Sequence, residues 1–130
     1  MPFLALVIDD SLVVRHVLRR FLEQRGFTVE TVSDGAEALK LLETVRPHVI
    51  FTDLHMPRLD GHRLMEILKA DPSLSAIPLV VLSAKPLPKT QPAPGAAQFL
   101  IAKDLNIETQ LKQILEELQP LLPGESAQSE

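Results

Sequence analysis

The sequence predicts an α/β protein with a parallel sheet in a single domain; the alternation of strand and helix patterns predicts the sheet, and the length predicts the single domain. Apolar runs of strand length alternate along the whole chain with stretches in which apolar residues recur at helical spacing. Such alternation predicts βαβ units, whose crossovers are right-handed and whose strands are parallel. The length of 130 residues fits one ordinary domain, because single cores usually span roughly 100–200 residues.

The first half of the chain carries alternating strand and helix patterns. In order they predict a strand over 3–8, a helix over 11–25, a strand over 27–32, a helix over 33–45 and a strand over 48–52. Gly26 suits the position just after a helix end. The sequence Ser33-Asp34-Gly35 is a turn and helix-start signal, and Pro47 ends that helix.

The second half continues the alternation. A helix over about 63–70 ends at Asp71-Pro72, because a residue before proline disfavours the helical region. Strands are predicted over 79–82 and 98–102, followed by an amphipathic helix over 107–119 with Asn106 as its N-cap.

Two segments break the pattern. The segment 85–95 carries four of the eleven prolines, so a regular helix there is improbable and a turn-rich or extended loop is expected. The polar end of the chain, 120–130, is expected to be a flexible tail. We therefore expect one folded domain over 1–119.

Composition and charge exclude several classes of protein. The net charge of −4 argues against nonspecific nucleic-acid binding, which needs a basic face. The chain has no cysteine, which excludes disulfides and thiolate metal sites. The first apolar run stops at Asp9, too soon for a signal sequence or a membrane span. The expected location is cytoplasmic, with no membrane or nucleic acid among the partners.

Acidic residues follow two of the predicted strands. Asp9 and Asp10 follow the first strand, and Asp53 follows the third. Parallel sheets place ligand sites at the carboxyl ends of their strands, so these carboxylates are expected to converge. Oxygen ligands without cysteine favour a hard cation such as Mg²⁺. If Asp9 and Asp10 are considered without Asp53, a structural role stays open, in which Asp10 or Ser11 is the N-cap of the following helix.

Three motifs are similar to those of a known family: VIDDS at 7–11, TDLHMPRLDG at 52–61 and LSA at 82–84. These motifs lie on the first, third and fourth predicted strands. They resemble those of a response-regulator receiver domain of the CheY-like family, and the resemblance covers about 3–119. The resemblance implies a doubly wound five-stranded parallel sheet in the order 2-1-3-4-5. The helix between its fourth and fifth strands would here be degenerate or replaced by the Pro-rich loop.

The resemblance also implies a phosphorylation site. Asp53 corresponds to the phosphoacceptor, and a histidine kinase or a histidine phosphotransfer protein would supply its phosphoryl group. Asp9 and Asp10, with Asp53, correspond to the carboxylates that hold Mg²⁺. The backbone carbonyl of His55 corresponds to a main-chain metal ligand.

A second group of positions corresponds to the residues that bind the phosphoryl group and respond to it. Ser83 matches the hydroxyl that binds a phosphoryl oxygen, and Phe99 matches the aromatic residue whose packing changes. Lys103 matches the phosphoryl-binding lysine. Pro57 and Gly61 would shape the loop after the third strand.

The lysine departs from the family pattern. The family places it three residues after the aromatic residue and before a proline, whereas Lys103 is four residues after Phe99 and precedes Asp104. Either Lys103 reaches the phosphoryl group through a bulge or a shifted loop, or Ala102 holds its place and the contact is lost. Lys85 is a weaker substitute.

The leading hypothesis is a receiver domain phosphorylated on Asp53 with Mg²⁺. It would signal to a downstream protein target by protein–protein contact, with a homodimer as one option, and would not be a turnover enzyme. The alternative is a pseudo-receiver, a phosphorylation-independent interaction module. A haloacid-dehalogenase-like phosphatase is disfavoured, because His55 stands where that chemistry needs a second aspartate.

Overall fold

The described strands form one parallel sheet. The structure is a computed structural model and describes residues 3–53, 61–83, 99–103 and 106–118. Its strands are β1 (Leu4–Ile8), β2 (Thr28–Val32), β3 (Val49–Asp53), β4 (Leu79–Ser83) and β5 (Phe99–Ala102). They pair in the order β2-β1-β3-β4-β5, and every neighbouring pair is parallel. The sequence prediction of a doubly wound sheet in the order 2-1-3-4-5 is confirmed.

Helices cover both faces of this sheet. In the described ranges they are α1 (Leu12–Glu23), α2 (Gly35–Leu42), α3 (Gly61–Ala70) and α4 (Ile107–Leu118). None of these helices is long and apolar enough to cross a membrane. The predicted Pro-rich loop at 85–95 and the predicted tail at 120–130 lie outside the described residues.

Side-chain alternation along the strands divides the core into two layers. On one face Ala5 and Val7 of β1 join a cluster that includes residues of α1 and α4. On the other face Leu6 and Ile8 join a cluster that includes residues of α2 and α3. A parallel sheet covered on both faces needs such continuous apolar strands, since successive side chains point to opposite sides.

Local signals define where the helices begin and end. The side chain of Ser11 accepts a hydrogen bond from the Val14 amide at the start of α1, and Asp34 does the same from the Glu37 amide at the start of α2. Gly26 has a φ of +91°, a value that favours glycine just after a helix. These residues end each helix or begin the next one, so that the chain can return to the sheet as a parallel strand.

One predicted boundary is wrong by several residues. The helix predicted through Val45 ends at Leu42. Beyond it the Thr44 and Val45 amides both donate to the carbonyl of Leu41, and the Arg46 guanidinium donates to the carbonyl of Leu42. A closing turn and the side chain of Arg46 thus satisfy carbonyls at the end of the helix.

Candidate functional site at the carboxyl edge of the sheet

The strand register brings two of the three predicted carboxylates side by side. Ile8 of β1 is paired with Thr52 of β3, so the next residues along each strand, Asp9 and Asp53, are neighbours. The Asp9 amide donates to the carbonyl of Val32 at 3.2 Å, which prolongs the pairing of β1 with β2 beyond the strand. Both side chains are buried, with 0% of Asp9 and 3% of Asp53 exposed.

Asp10 completes an acidic cluster. Each of Asp9, Asp10 and Asp53 offers a carboxylate oxygen, and these oxygens all lie within 4.8 Å of one another. Asp10 itself is exposed, so the cluster opens to solvent on its side. The predicted convergence of three distant carboxylates at one edge of the sheet is what the structure shows.

Lys103 lies between the two buried carboxylates. Its Nζ is 2.9 Å from Oδ2 of Asp9 and 2.9 Å from Oδ2 of Asp53, to which it donates a hydrogen bond. Its side chain is only 14% exposed. The extra residue after Phe99 therefore leaves the lysine in contact with both buried carboxylates.

The two ionisable partners influence each other. Burial raises the pKa of Asp9 above 3.8, against the opposing effect of the Lys103 ammonium and of the Ser11 amide. Burial acts to lower the pKa of Lys103, but its bonds to Asp9 and Asp53 outweigh this effect and raise the pKa above 10.5. Lys103 is therefore a counter-cation held inside the site at neutral pH.

The loop after β1 is held by contacts of the side chain and the backbone carbonyl of Asp9. Its Oδ1 accepts a hydrogen bond from the Ser11 amide at 2.8 Å, and its carbonyl accepts one from the Arg15 guanidinium at 2.7 Å. Arg15 was not singled out from the sequence, because an arginine on a helix gives no sign that it reaches back to a strand end. These contacts fix the loop that carries Asp10.

The carboxylates of the cluster also suit a metal ion. Oδ2 of Asp9 is buried, and its partner among the described residues is the Lys103 ammonium at 2.9 Å. Three carboxylate oxygens within 4.8 Å of one another, two of them on buried residues, fit a hard divalent cation that is bound by oxygen ligands. The cluster can therefore hold such an ion.

Three other predicted site residues lie on described elements around the acidic cluster. Ser83 ends β4, is 3% exposed and lies one residue beyond Leu82, the register partner of Asp53. Phe99 begins β5, is half-buried and packs against the cluster shared by α1 and α4. Gly61 begins α3.

Two predicted residues cannot be located in this way. His55 and Pro57 lie outside the described residues, as does the rest of 54–60. Their predicted roles, a main-chain metal ligand and a residue that shapes the loop, stay predictions.

The doubly wound sheet carries carboxylates and a lysine at the carboxyl ends of its strands. This arrangement is typical of α/β proteins that bind their ligands at that edge of the sheet. Comparison with known proteins narrows this class. Residues 5–116 match the family model of the response regulator receiver domain. The chain belongs to this family, and it is therefore a receiver domain, the phosphoacceptor module of two-component signal transduction.

Relatives and solved structures agree. The response regulator MprA of Mycobacterium sp. (strain KMS) is 41% identical over 85 residues, which make up 65% of this chain and 36% of that protein. Protein PilG of Pseudomonas aeruginosa is 36% identical over 80 residues, 62% of this chain and 59% of that one. The chain thus matches about a third of the length of the first relative and over half of the second.

The structure of the chemotaxis response regulator CheY4 of Vibrio cholerae is similar with a TM-score of 0.78 and 26% identity. The similarity covers 89% of this chain and 98% of that one. It extends well beyond the acidic edge, to the whole arrangement of sheet and helices.

Proposed function

We propose that Asp53 is the residue that accepts the phosphoryl group, from a phosphohistidine on a histidine kinase or a histidine phosphotransfer protein. The observation that carries this proposal is the position of Asp53. Its carboxylate lies with those of Asp9 and Asp10 in one cluster and accepts a hydrogen bond from Lys103, which also contacts Asp9. A carboxylate so placed has both a metal site and a cation next to it.

The transfer forms a bond between phosphorus and a carboxylate oxygen of Asp53 and breaks the bond between phosphorus and the imidazole nitrogen of the donor. That nitrogen leaves with the electron pair and takes up a proton from solvent, while the attacking carboxylate has no proton to lose. Asp9, Asp10 and Asp53 would hold Mg²⁺, with the backbone carbonyl of His55 as a further ligand. Bound there, the ion neutralises charge on the transferred group and helps a weakly nucleophilic carboxylate to attack.

Lys103 and Ser83 would bind the product. Phosphorylation adds nearly two negative charges to a pocket that is already acidic. The Lys103 ammonium, now on Oδ2 of Asp53, would move to a phosphoryl oxygen, and the Ser83 hydroxyl would donate to another. Phe99, packed between the sheet and the helices, would change its packing in response.

The position of Lys103 bears on the pseudo-receiver alternative. Two sequence features favour this alternative: the displaced position of the lysine and the Pro-rich segment 85–95. Because Lys103 contacts both buried carboxylates, the first feature no longer favours a module that ignores phosphorylation.

Membership of the family supports a proposal for the cellular role. We propose that the domain over 1–119 passes its state to a downstream protein by direct contact and has no turnover activity. It would act in the cytoplasm, with 120–130 as a flexible tail and with homodimerisation as one possible form of output.

A phosphoryl mimic tests the proposal. Beryllofluoride with Mg²⁺ should give saturable NMR shifts that centre on Asp53 and Ser83. The Asp53→Ala variant should give none, whereas Asp71→Ala, which removes a partly exposed aspartate after α3, should respond like the wild type. A flat response of the wild type would reject the proposal and favour the pseudo-receiver.

A further inference from the structure

The end of β5 is held on its outer side by a side chain of α4. The Ala102 amide donates to Oε1 of Gln110 at 2.9 Å, and Nε2 of Gln110 donates to the Ala102 carbonyl at 2.9 Å. The same Nε2 lies 3.3 Å from the carbonyl of Asn106. The primary amide of Gln110 thus pairs with both backbone groups of one residue, as a neighbouring strand would.

This pairing falls at an exposed edge of the sheet. β5 is the outer strand of the described sheet, so the outward amide and carbonyl of Ala102 have no strand to pair with. Backbone groups without a partner are costly when water is partly excluded, and Gln110 supplies both missing bonds. It is the residue of α4 whose side chain does so.

The same peptide group leads directly into Lys103. The carbonyl of Ala102 and the amide of Lys103 belong to one peptide unit, and that amide donates to the carbonyl of Ser83 at 2.8 Å. The unit is therefore held by Gln110 on one side and by β4 on the other. From this fixed point the Lys103 side chain reaches Asp9 and Asp53.

The sequence explains why such a support is useful here. Lys103 is followed by Asp104, and so no proline ring restricts the backbone after the lysine. A lysine side chain has four flexible carbons, and its ammonium is placed only as accurately as its Cα.

We propose that Gln110 is a positioning residue for Lys103: it fixes the Ala102–Lys103 peptide so that the ammonium stays at the phosphoryl site. This inference rests on the proposed function. Gln110 touches neither the carboxylates nor the phosphoryl group, and its effect passes through Lys103.

The test is a double-mutant cycle read by calorimetric titration with beryllofluoride in the presence of Mg²⁺. Gln110→Met keeps an unbranched side chain of similar length and removes both hydrogen bonds. We expect it to weaken beryllofluoride binding roughly 3- to 10-fold, the effect of about one hydrogen bond whose energy is coupled to the position of Lys103. Gln113→Met, an exposed glutamine on the same helix, is the matched control and should leave binding unchanged.

The second half of the cycle separates positioning from mere structural support. In a Lys103→Ala background, Gln110→Met should cause no further loss of beryllofluoride affinity. In the metal-free protein that keeps Lys103, Gln110→Met alone should speed hydrogen exchange at the Lys103 amide. Gln110→Glu, which keeps only the acceptor for the Ala102 amide, should bind with intermediate affinity and serves if Gln110→Met does not fold.

Equal losses with and without Lys103, or unchanged binding by both Gln110 variants, would overturn the inference alone. A wild type that binds no beryllofluoride would overturn the proposed function and this inference with it.

Discussion

Lys103 determines the electrostatics of the site at the level of single residues. Two buried carboxylates, Asp9 and Asp53, lie beside each other, and like charges in such a place repel. The Lys103 ammonium contacts both at 2.9 Å and offsets this repulsion. A divalent cation or a phosphoryl group that enters the site therefore enters an arrangement that already contains one positive charge.

The raised pKa of Lys103 predicts a dependence of stability on alkaline pH. A lysine whose folded-state pKa is above 10.5 contributes stability that is fully present below that value. This stability is lost as pH rises through the folded-state pKa. In metal-free buffer, urea unfolding from about pH 10 to pH 12 should show a steeper loss for the wild type than for Lys103→Met, with no difference in slope below about pH 10.

The control for this titration is Lys112→Met, which removes an exposed lysine of α4 and should keep the steep wild-type dependence. Parallel pH profiles for wild type and Lys103→Met would contradict the assigned role of Lys103.

Asp10 gives a second prediction at the residue scale. Asp10→Asn removes one charge from the cluster of three carboxylates, so Mg²⁺ affinity measured by calorimetry should fall roughly tenfold or more. The metal-free variant should be more stable to urea than the wild type, because a repulsive charge is gone. Mg²⁺ affinity that stays at the wild-type value would show that the ion does not use this carboxylate.

At the level of elements, strand pairing decides what the sequence pattern left open. Lys103 was uncertain because counting from Phe99 cannot tell where β5 ends relative to β4. The register of Ser83 with Ala102 places Lys103 just beyond both strands, and its ammonium then reaches the site.

Pairing also extends elements past the points where their apolar patterns stop. β3 runs to Asp53 and β4 to Ser83, one residue further than predicted. Hydrogen bonds of a strand are made by the backbone and tolerate a polar side chain at the end. Gln110 was missed for a related reason: nothing in a helical pattern shows which half-buried polar residue faces the edge of a strand.

The N-cap of α2 gives a prediction for an element. Asp34 is 4% exposed, and its Oδ1 accepts a hydrogen bond from the Glu37 amide at 2.9 Å. Asp34→Ala should lower the free energy of unfolding by about 1–2 kcal/mol, measured by urea denaturation. Asp34→Asn keeps an acceptor at the cap and should cost less; equal losses for both variants would show that the cap is not the cause.

At the level of the whole molecule, the fold was predictable because a simple physical pattern runs through the chain. Apolar strands covered on both faces, such as Leu4–Ile8, alternate with amphipathic helices, such as Leu12–Glu23, and this pattern admits few topologies. The convergence of Asp9, Asp10 and Asp53 followed from it, because parallel strands end at one edge.

The fold places this acidic edge at a cost in stability. Three carboxylates lie together at the end of the sheet, although a neutral set would pack more favourably there. Such a departure from optimal stability is expected where a site has to bind a cation and a phosphoryl group. The proposed binding of a cation and a phosphoryl group thus explains why the three carboxylates lie together.

The most direct test of this account is the intact mass of the protein after incubation with acetyl phosphate and Mg²⁺. The account predicts that the wild type gains the mass of one phosphoryl group, that chelation of Mg²⁺ prevents the gain, and that Asp53→Asn never shows it. An unchanged wild-type mass, or an equal gain in Asp53→Asn, would contradict the assignment of Asp53 as the phosphoacceptor.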